Sequence, residues 1–175
     1  MKTFALLGLV MFVSACGGDT PAAPTAPVIA QIAGVWRGTG TTASVAGGEC
    51  FAAAFQATVG SQGPITVAIT QAGSTVNATL TSDSNGNNYV YSGAVGQSAV
   101  SLTGSSCSAC NLIGARCPTG TAVRDIKLQT LSVTGTVNGT SLTGTQSETF
   151  NIFSAGTSSA VGTLTLVSSF ALTRQ

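Results

Sequence analysis

The sequence predicts an all-β domain, an antiparallel up-and-down meander that closes into a barrel of about eight strands. From Ile32 onward β-branched residues alternate with polar ones, and no stretch keeps a helical period for three turns. Clusters of Gly, Asn and Ser interrupt the alternation at short intervals, as hairpin turns do. Closure removes the two exposed edges that an open meander of this length would leave, so we expect a barrel and not an open sheet.

The chain starts with a segment typical of a bacterial signal peptide. Met1-Lys2 gives a positive start, and Phe4 to Val13 is almost entirely apolar. This apolar run is too short for a transmembrane helix, which needs about 20 residues. Val13-Ser14-Ala15-Cys16 then resembles the lipobox of bacterial lipoprotein precursors. The resemblance implies that residues 1–15 are a lipoprotein signal peptide and that Cys16 carries a lipid. The alternative is an ordinary secretory signal in which the cysteine is incidental.

Residues 16–30 have the composition of a flexible tether. Gly17 to Pro27 contains three prolines, two glycines and no bulky apolar side chain, so the segment has nothing to bury and stays extended. Lipoproteins hold the membrane through several acyl chains, since a single chain binds only marginally. By resemblance to the sorting rule of enteric lipoproteins, Gly17 favours the outer membrane. We therefore expect a lipid-anchored protein of the bacterial cell envelope, facing the periplasm or the cell surface, with the barrel in residues 31–175.

Alternation predicts the strands in the first half of the domain. Gln71 to Ser74 is a turn between two alternating segments, and Ser82 to Asn88 is a polar loop built around Asn85-Gly86. Tyr89 to Val95 and Ala99 to Leu102 form the next pair of strands. The apolar residues that share one face are Ile65, Val67 and Ile69 before the first turn and Val76, Ala78 and Leu80 after it.

The second half begins with an irregular stretch, residues 105–120, the one place in the domain with room for an inserted short helix or binding loop. Ile126 to Val137 follows, and its apolar phase slips between Leu128 and Leu131, which predicts a β-bulge. Asn138-Gly139 then predicts a hairpin turn of type I′. The last strands are Thr140 to Phe153 and Thr157 to Thr173.

Charge and composition exclude several classes of function. The chain has six Lys and Arg residues, and one of them, Lys2, lies in the predicted signal peptide. The remaining five balance the five Asp and Glu residues, so the side chains carry no net charge. Without a basic surface we expect no nucleic-acid binding. Histidine, the commonest general base and metal ligand, is absent from the chain. The acidic residues lie mostly in different segments and no serine has a base to activate it, so we expect no catalysis, no metal and no cofactor. These acidic residues are Asp19, Glu49, Asp83, Asp125 and Glu148.

Four cysteines remain beyond Cys16, namely Cys50, Cys107, Cys110 and Cys117. In an oxidising compartment an even number of cysteines predicts two disulfides. Three pairings are open. We favour Cys50 with Cys107 and Cys110 with Cys117, because a bridge across only two intervening residues is often strained. The Cys107-x-x-Cys110 spacing leaves two alternatives, a zinc site and a thioredoxin-type redox motif.

The two ends of the domain carry a further resemblance. Gly34-Val35-Trp36 resembles the Gly-x-Trp signature of lipocalins and their calycin relatives. In those families an arginine on the last strand packs over the tryptophan and helps to close the barrel. Here Arg174 ends the last strand on its apolar face, where a guanidinium can stack on an indole. The resemblance implies a lipocalin-like barrel in which Gly34, Trp36 and Arg174 are closure residues without a ligand role. The Thr-Asp-Tyr-like stretch of lipocalins is not found.

Two classes of function remain. The first is a structural or interaction module whose barrel is filled by its own side chains. The second, implied by the calycin resemblance, is a barrel that encloses a small apolar ligand. We favour the filled barrel, because the apolar side chains are small and aromatic residues are scarce. A ligand pocket would be lined by Tyr89, Tyr91, Phe150 and Phe153.

Overall fold

One antiparallel sheet of strands connected in chain order makes up most of the protein. The computed structural model describes residues 27–82 and 86–175, so the predicted signal peptide and most of the predicted tether lie outside the described residues. Within those residues a 3₁₀ turn, Glu49–Phe51, and a short helix α1, Ala52–Gln56, follow the first strand. The strands are β1 (Gly34–Gly47), β2 (Gln62–Ala72), β3 (Thr75–Ser82), β4 (Asn88–Val95), β5 (Ala99–Cys107), β6 (Leu112–Arg116), β7 (Val123–Asn138), β8 (Ser141–Ser154) and β9 (Ala160–Arg174).

The sheet closes into a barrel of eight strands, which confirms the predicted fold class. β9 returns to pair with β1, and β5 pairs with β7. β6 stays outside this ring. The long strand β7 pairs with both β5 and β6. Its segment Ser132–Thr136 pairs with β5 inside the barrel, and Val123–Ile126 pairs with β6 outside it. We call the end of the barrel at Trp36 and Arg174 the lower end, and the end at β6 and α1 the upper end.

Alternating residues fill the lower half of the barrel. Every second residue of β2, β3, β5 and β7 points inward, as the sequence pattern predicts. The cavity left between them is only about 30 Å³, about the volume of one water molecule. The lower half therefore matches the filled barrel that we favoured from the sequence. The residues around this small cavity include Val67, Ile69, Ala78, Val100, Val133 and Leu142.

The bulge in β7 follows the sequence prediction, whereas the hairpin turn after β7 differs from it. The register of β7 against β8 shifts between Leu128 and Thr130, which confirms the predicted bulge. Asn138 pairs with Ser141, so the hairpin loop is Gly139–Thr140, and in it only Gly139 has a positive φ, +59°. A type I′ turn needs a positive φ at both central residues, so that prediction was wrong, and the φ pattern is that of type II′. The predicted turn at Asn85-Gly86 lies partly outside the described residues.

The short helix lies outside residues 105–120, the stretch that we identified as having room for a helix or a binding loop. Residues 105–120 form the end of β5, a turn and β6, whereas the helix lies at Ala52–Gln56. The three alanines that begin α1 have the highest intrinsic helix propensity of any residue. None of the helices that the structure describes has the length and apolar character needed to cross a bilayer.

Both predicted disulfides are present, but the pairing that we favoured was wrong. Cys50 bonds Cys117, and Cys107 bonds Cys110, with Cα–Cα distances of 5.5 Å and 5.6 Å. The β6–β7 hairpin lies beside the 3₁₀ turn that contains Cys50. Cys117, between β6 and β7, is therefore close enough to bond Cys50. The second disulfide closes the turn between β5 and β6. Because all four sulfur atoms are used in disulfides, no thiolate remains for the zinc alternative.

Candidate functional site

The lower end of the barrel holds the three residues that the calycin resemblance singled out. Trp36 is fully buried and is paired with Arg174 across β1 and β9. The guanidinium carbon of Arg174 lies 5.9 Å from the centroid of the indole ring. Its Nη1 donates a hydrogen bond to the carbonyl oxygen of Gln31 at 3.1 Å, and Nη2 donates to that of Ala33. Gly34 has a φ of +131°, and a Cβ there would lie 3.4 Å from Arg174 Nε.

The chain segment before β1 seals this end. The Trp36 Nε1 donates to the carbonyl oxygen of Ile32 at 2.8 Å, and Ile32 is fully buried. The amide of Gln71, at the end of β2, accepts from Ile32 N at 2.7 Å and donates to the carbonyl oxygen of Ala30 at 2.9 Å. Ala30 N donates in turn to Gly96 at 2.9 Å. Sequence reasoning missed Gln71, which it assigned only to a turn. The lower end is thus a packed closure with no room for a ligand.

The upper half of the barrel contains a cavity of about 270 Å³, which we call the chamber. Four apolar side chains and a larger number of polar ones line it. Exposed Ser61 and Gln62 stand at its rim, so solvent reaches it. The apolar lining residues are Ile65, Leu80, Leu166 and Phe170; the polar ones include Thr42, Ser82, Tyr89, Gln146, Glu148 and Ser168.

A chain of hydrogen bonds runs along the inner wall of the chamber. The hydroxyl of Tyr91 donates to Gln146 Oε1 at 2.9 Å, and Gln146 Nε2 donates to the Glu148 carboxylate. The Tyr89 hydroxyl also lies near Glu148 and Asn87 and interacts with both. Gln146 and Glu148 are buried, at 7% and 8% exposure. Two neighbouring inward positions of β8 therefore place an amide and a carboxyl group inside the barrel.

Burial controls the electrostatics of this network. It raises the pKa of Glu148, although hydrogen bonds from Gln146 and Tyr89 favour the ionised form. Burial, with the nearby charge of Glu148 as the second cause, raises the pKa of Tyr89 to about 12. The same two causes raise the pKa of Tyr91 well above its ordinary value. The two tyrosines therefore act at neutral pH as hydrogen-bond donors, and Glu148 is the group in the chamber that changes charge.

The four residues predicted to line a ligand pocket have different positions. Tyr89 lines the chamber, and Tyr91 lies beneath it, beside the small apolar cavity of the lower half. Phe150 is buried in the barrel but does not reach the chamber. Phe153 lies on the outer face of β8, where Lys127 Nζ stands 5.2 Å from its ring centroid. Of the four residues only Tyr89 lines the chamber, and Phe153 faces outward because its neighbour Ile152 occupies the inward position.

Sequence reasoning missed the polar residues that distinguish this site. The composition argument treats Glu148 only as an isolated acidic residue, and Gln146 has no part in it. Their signal was present in β8, where Leu142, Phe150 and Ile152 share the parity of positions 146 and 148. Strict alternation puts all of these residues on the inner face. Phe170, which lines both cavities, follows from the same rule in β9.

No known protein family, curated protein or solved structure matches this chain. The eight-stranded antiparallel barrel is consistent with a calycin-like fold.

Proposed function

We propose that this chain is a lipid-anchored protein of the bacterial cell envelope whose barrel binds a small molecule in the chamber and carries out no catalysis. The observation that carries the binding function is the contrast between the two halves of the barrel. The lower half leaves a cavity of about 30 Å³, whereas the upper half leaves about 270 Å³. That upper volume is close to the lower limit for ligand sites, about 300 Å³.

The chamber favours ligand binding over the filled, purely structural module that we preferred from the sequence. Gln146, Glu148 and Tyr89 are buried polar groups that converge on one open volume, as the orienting groups of ligand sites do. A wholly apolar ligand would remove the remaining solvent exposure of the Glu148 carboxyl group and offer it no hydrogen bond, which costs free energy. The ligand is therefore a small molecule with both polar and apolar parts. The Gly34, Trp36 and Arg174 closure supports a lipocalin-like architecture for this binding module.

The proposed anchor rests on the lipobox at Val13–Cys16 and on the tether that follows it. The described chain enters the barrel by crossing the lower end, at Ala30 and Ile32. A tether attached there holds the protein by its sealed end. The chamber lies in the opposite half, where small molecules of the envelope can reach it.

Metabolic labelling tests the anchor. Cells that express the full chain are grown with radiolabelled palmitate, and the Cys16→Ser variant serves as the matched control. We expect label in the mature wild-type protein and none in the variant. An unlabelled wild-type protein, or an N-terminal sequence that still contains the leader, would contradict the proposed anchor.

A fragment screen by NMR tests the binding function. The full chain with Cys16→Ser is used so that no acyl chain is attached. We expect some fragments to shift signals of chamber residues in this protein, and Ser168→Phe, which fills the chamber, to abolish those shifts. Thr163→Phe puts the same side chain on an exposed position of β9 and should preserve them. Fragments that bind equally well to the Ser168→Phe variant would show that the chamber is not the site.

A further inference from the structure

We propose that the chamber selects a small organic ammonium ion, a primary amine with a compact apolar body, and that Glu148 is the residue that binds the ammonium group. This inference rests on the proposed binding function and specifies its ligand class. It follows from the position of Glu148, from the charges around it and from the shape of the chamber.

Glu148 is the acidic group of the chamber wall, and it becomes negatively charged when its carboxyl group ionises. Among the described residues that line the chamber, only Glu148 and Tyr89 can titrate, and none carries a positive charge. In residues 27–82 and 86–175 the one ion pair joins Glu49 to Arg124, at 3.3 Å in the upper end. Glu148 therefore has a buried carboxylate with no cationic partner among the described residues. A ligand cation would supply that partner.

The carboxylate has hydrogen-bonding capacity left for a ligand. An ionised carboxylate has about four acceptor positions. Gln146 donates a hydrogen bond to Glu148, which helps to orient the carboxyl group, and the Tyr89 hydroxyl interacts with the same group. An ammonium group has three donors and no acceptor, so it complements the remaining acceptor positions. A ligand carboxylate or phosphate would instead meet a like charge.

The rest of the chamber limits the body of the ligand. Ile65, Leu80, Leu166 and Phe170 give apolar wall, and the Thr and Ser hydroxyls border it. The volume of about 270 Å³ corresponds to about nine water molecules. An amine of about ten non-hydrogen atoms fits, whereas the long acyl chain of a lipid does not.

Isothermal titration calorimetry with three probes of one shape tests the inference. The probes are 2-phenylethylammonium, neutral 2-phenylethanol and anionic phenylacetate, each titrated into the full chain with Cys16→Ser. We expect the ammonium to bind about 10- to 100-fold more tightly than the alcohol, the ratio that a charge-assisted hydrogen bond implies. We expect the anion to bind more weakly than the alcohol.

The Glu148→Gln variant identifies the residue responsible. Glutamine keeps the shape of glutamate and removes its charge, so we expect the ammonium to bind this variant no more tightly than the alcohol does. The affinity for the alcohol should change by less than about threefold. An ammonium preference that survives in Glu148→Gln would overturn the inference. Equal binding of all three probes to the wild-type chamber would also overturn it and leave the proposed binding function standing, whereas failure of the fragment screen would reject both.

A pH series on the unsubstituted chamber keeps the test independent of the variant's folding. Since burial raises the pKa of Glu148, ammonium affinity should rise with pH as this carboxyl ionises. A primary ammonium stays protonated over this range, as lysine does, and Tyr89 stays neutral. The affinity of the alcohol should not change. An ammonium affinity that is constant from pH 4 to pH 8 would overturn the assignment to Glu148.

Discussion

Glu148 and its two tyrosine neighbours show how a strand pattern creates an unusual local environment. Glu148 faces inward because successive side chains of β8 point alternately into and out of the barrel. Its carboxyl group is therefore largely shielded from water. The network of Gln146 and Tyr89 compensates part of the lost hydration. Burial remains the largest influence, and it favours the neutral carboxyl.

The first residue-scale prediction concerns stability and pH. The folded protein keeps the Glu148 proton at pH values where the unfolded chain, with a pKa near 4.5, has released it. The stability that this proton contributes is complete below pH 4.5 and is lost as pH rises through the raised pKa. Glu148→Gln should therefore gain stability relative to wild type as pH increases from 4 to 8.

Urea unfolding at a series of pH values measures this difference. The variant removes one titrating group and retains the others, so the difference between the two curves isolates Glu148. A difference that stays constant over the series would show that burial does not perturb this carboxyl group.

The second residue-scale prediction concerns the tyrosines, of which the chain has only two. Burial raises the pKa of Tyr89 to about 12 and that of Tyr91 well above the ordinary 10.0. At pH 11 an exposed tyrosine would be about 90% ionised, whereas the folded protein should show little phenolate absorbance. The protein in denaturant is the control and should titrate near pH 10. Phenolate formation near pH 10 in the folded protein, checked by circular dichroism, would argue against buried hydroxyls.

At the scale of elements, β1 and β9 close both the sheet and the lower end. Their pairing runs from Trp36–Arg174 to Gly47–Leu164, with one register shift between Thr42 and Ser44. Arg174 then connects the last strand to the carbonyl groups of the segment that precedes the first. Arg174 thereby adds a side-chain link between the two ends of the domain, which the pairing of β1 with β9 already brings together.

Replacing that side chain should loosen the closure. We expect Arg174→Ala to lower the free energy of unfolding by about 2 kcal/mol, because two hydrogen bonds from a charged group and the contact with Trp36 are lost. Arg174→Lys should recover only part of the lost stability, since the ammonium group of lysine cannot reproduce the planar arrangement of donors in the guanidinium group. Chemical denaturation measures both.

Arg37→Ala is the matched control for this prediction. Arg37 lies next to Trp36 on the exposed face of β1, so its removal should change stability by less than about 0.5 kcal/mol. Equal losses for Arg37→Ala and Arg174→Ala would mean that the closure contacts add nothing specific.

For the whole molecule, the two disulfides constrain very different lengths of chain. Cys50–Cys117 spans 67 residues and joins the 3₁₀ turn to the end of β6, whereas Cys107–Cys110 spans three. A cross-link stabilises a protein chiefly by restricting its unfolded chain, and the effect grows with loop length.

Removal of the Cys50–Cys117 disulfide should therefore lower the free energy of unfolding more than removal of Cys107–Cys110. We expect Cys50→Ala with Cys117→Ala to lower the free energy of unfolding by about 4 kcal/mol, and Cys107→Ala with Cys110→Ala by about 2 kcal/mol. Each double variant leaves the other disulfide intact and serves as its control. Thermal and urea unfolding compare them, and an equal or reversed order would contradict the loop-length explanation.

Much of this protein could be predicted from local patterns in the sequence. Alternation identified the strands, the inward faces of β2 and β3, and the bulge near Leu128, because side-chain direction in a strand depends only on neighbouring residues. The pairing of Trp36 with Arg174 followed from resemblance and phase together. The same alternation places Gln146 and Glu148 inside the barrel, in phase with Leu142 and Phe150.

The remaining features depend on distances between residues far apart in the chain. Which cysteine meets Cys50, and whether Tyr89 reaches Glu148, depends on how the strands are staggered when the sheet closes. The volume of the chamber likewise depends on the separation of walls contributed by β2, β8 and β9. Local sequence determines the direction of each side chain, whereas only the closed tertiary structure determines which side chains meet and how much space they leave.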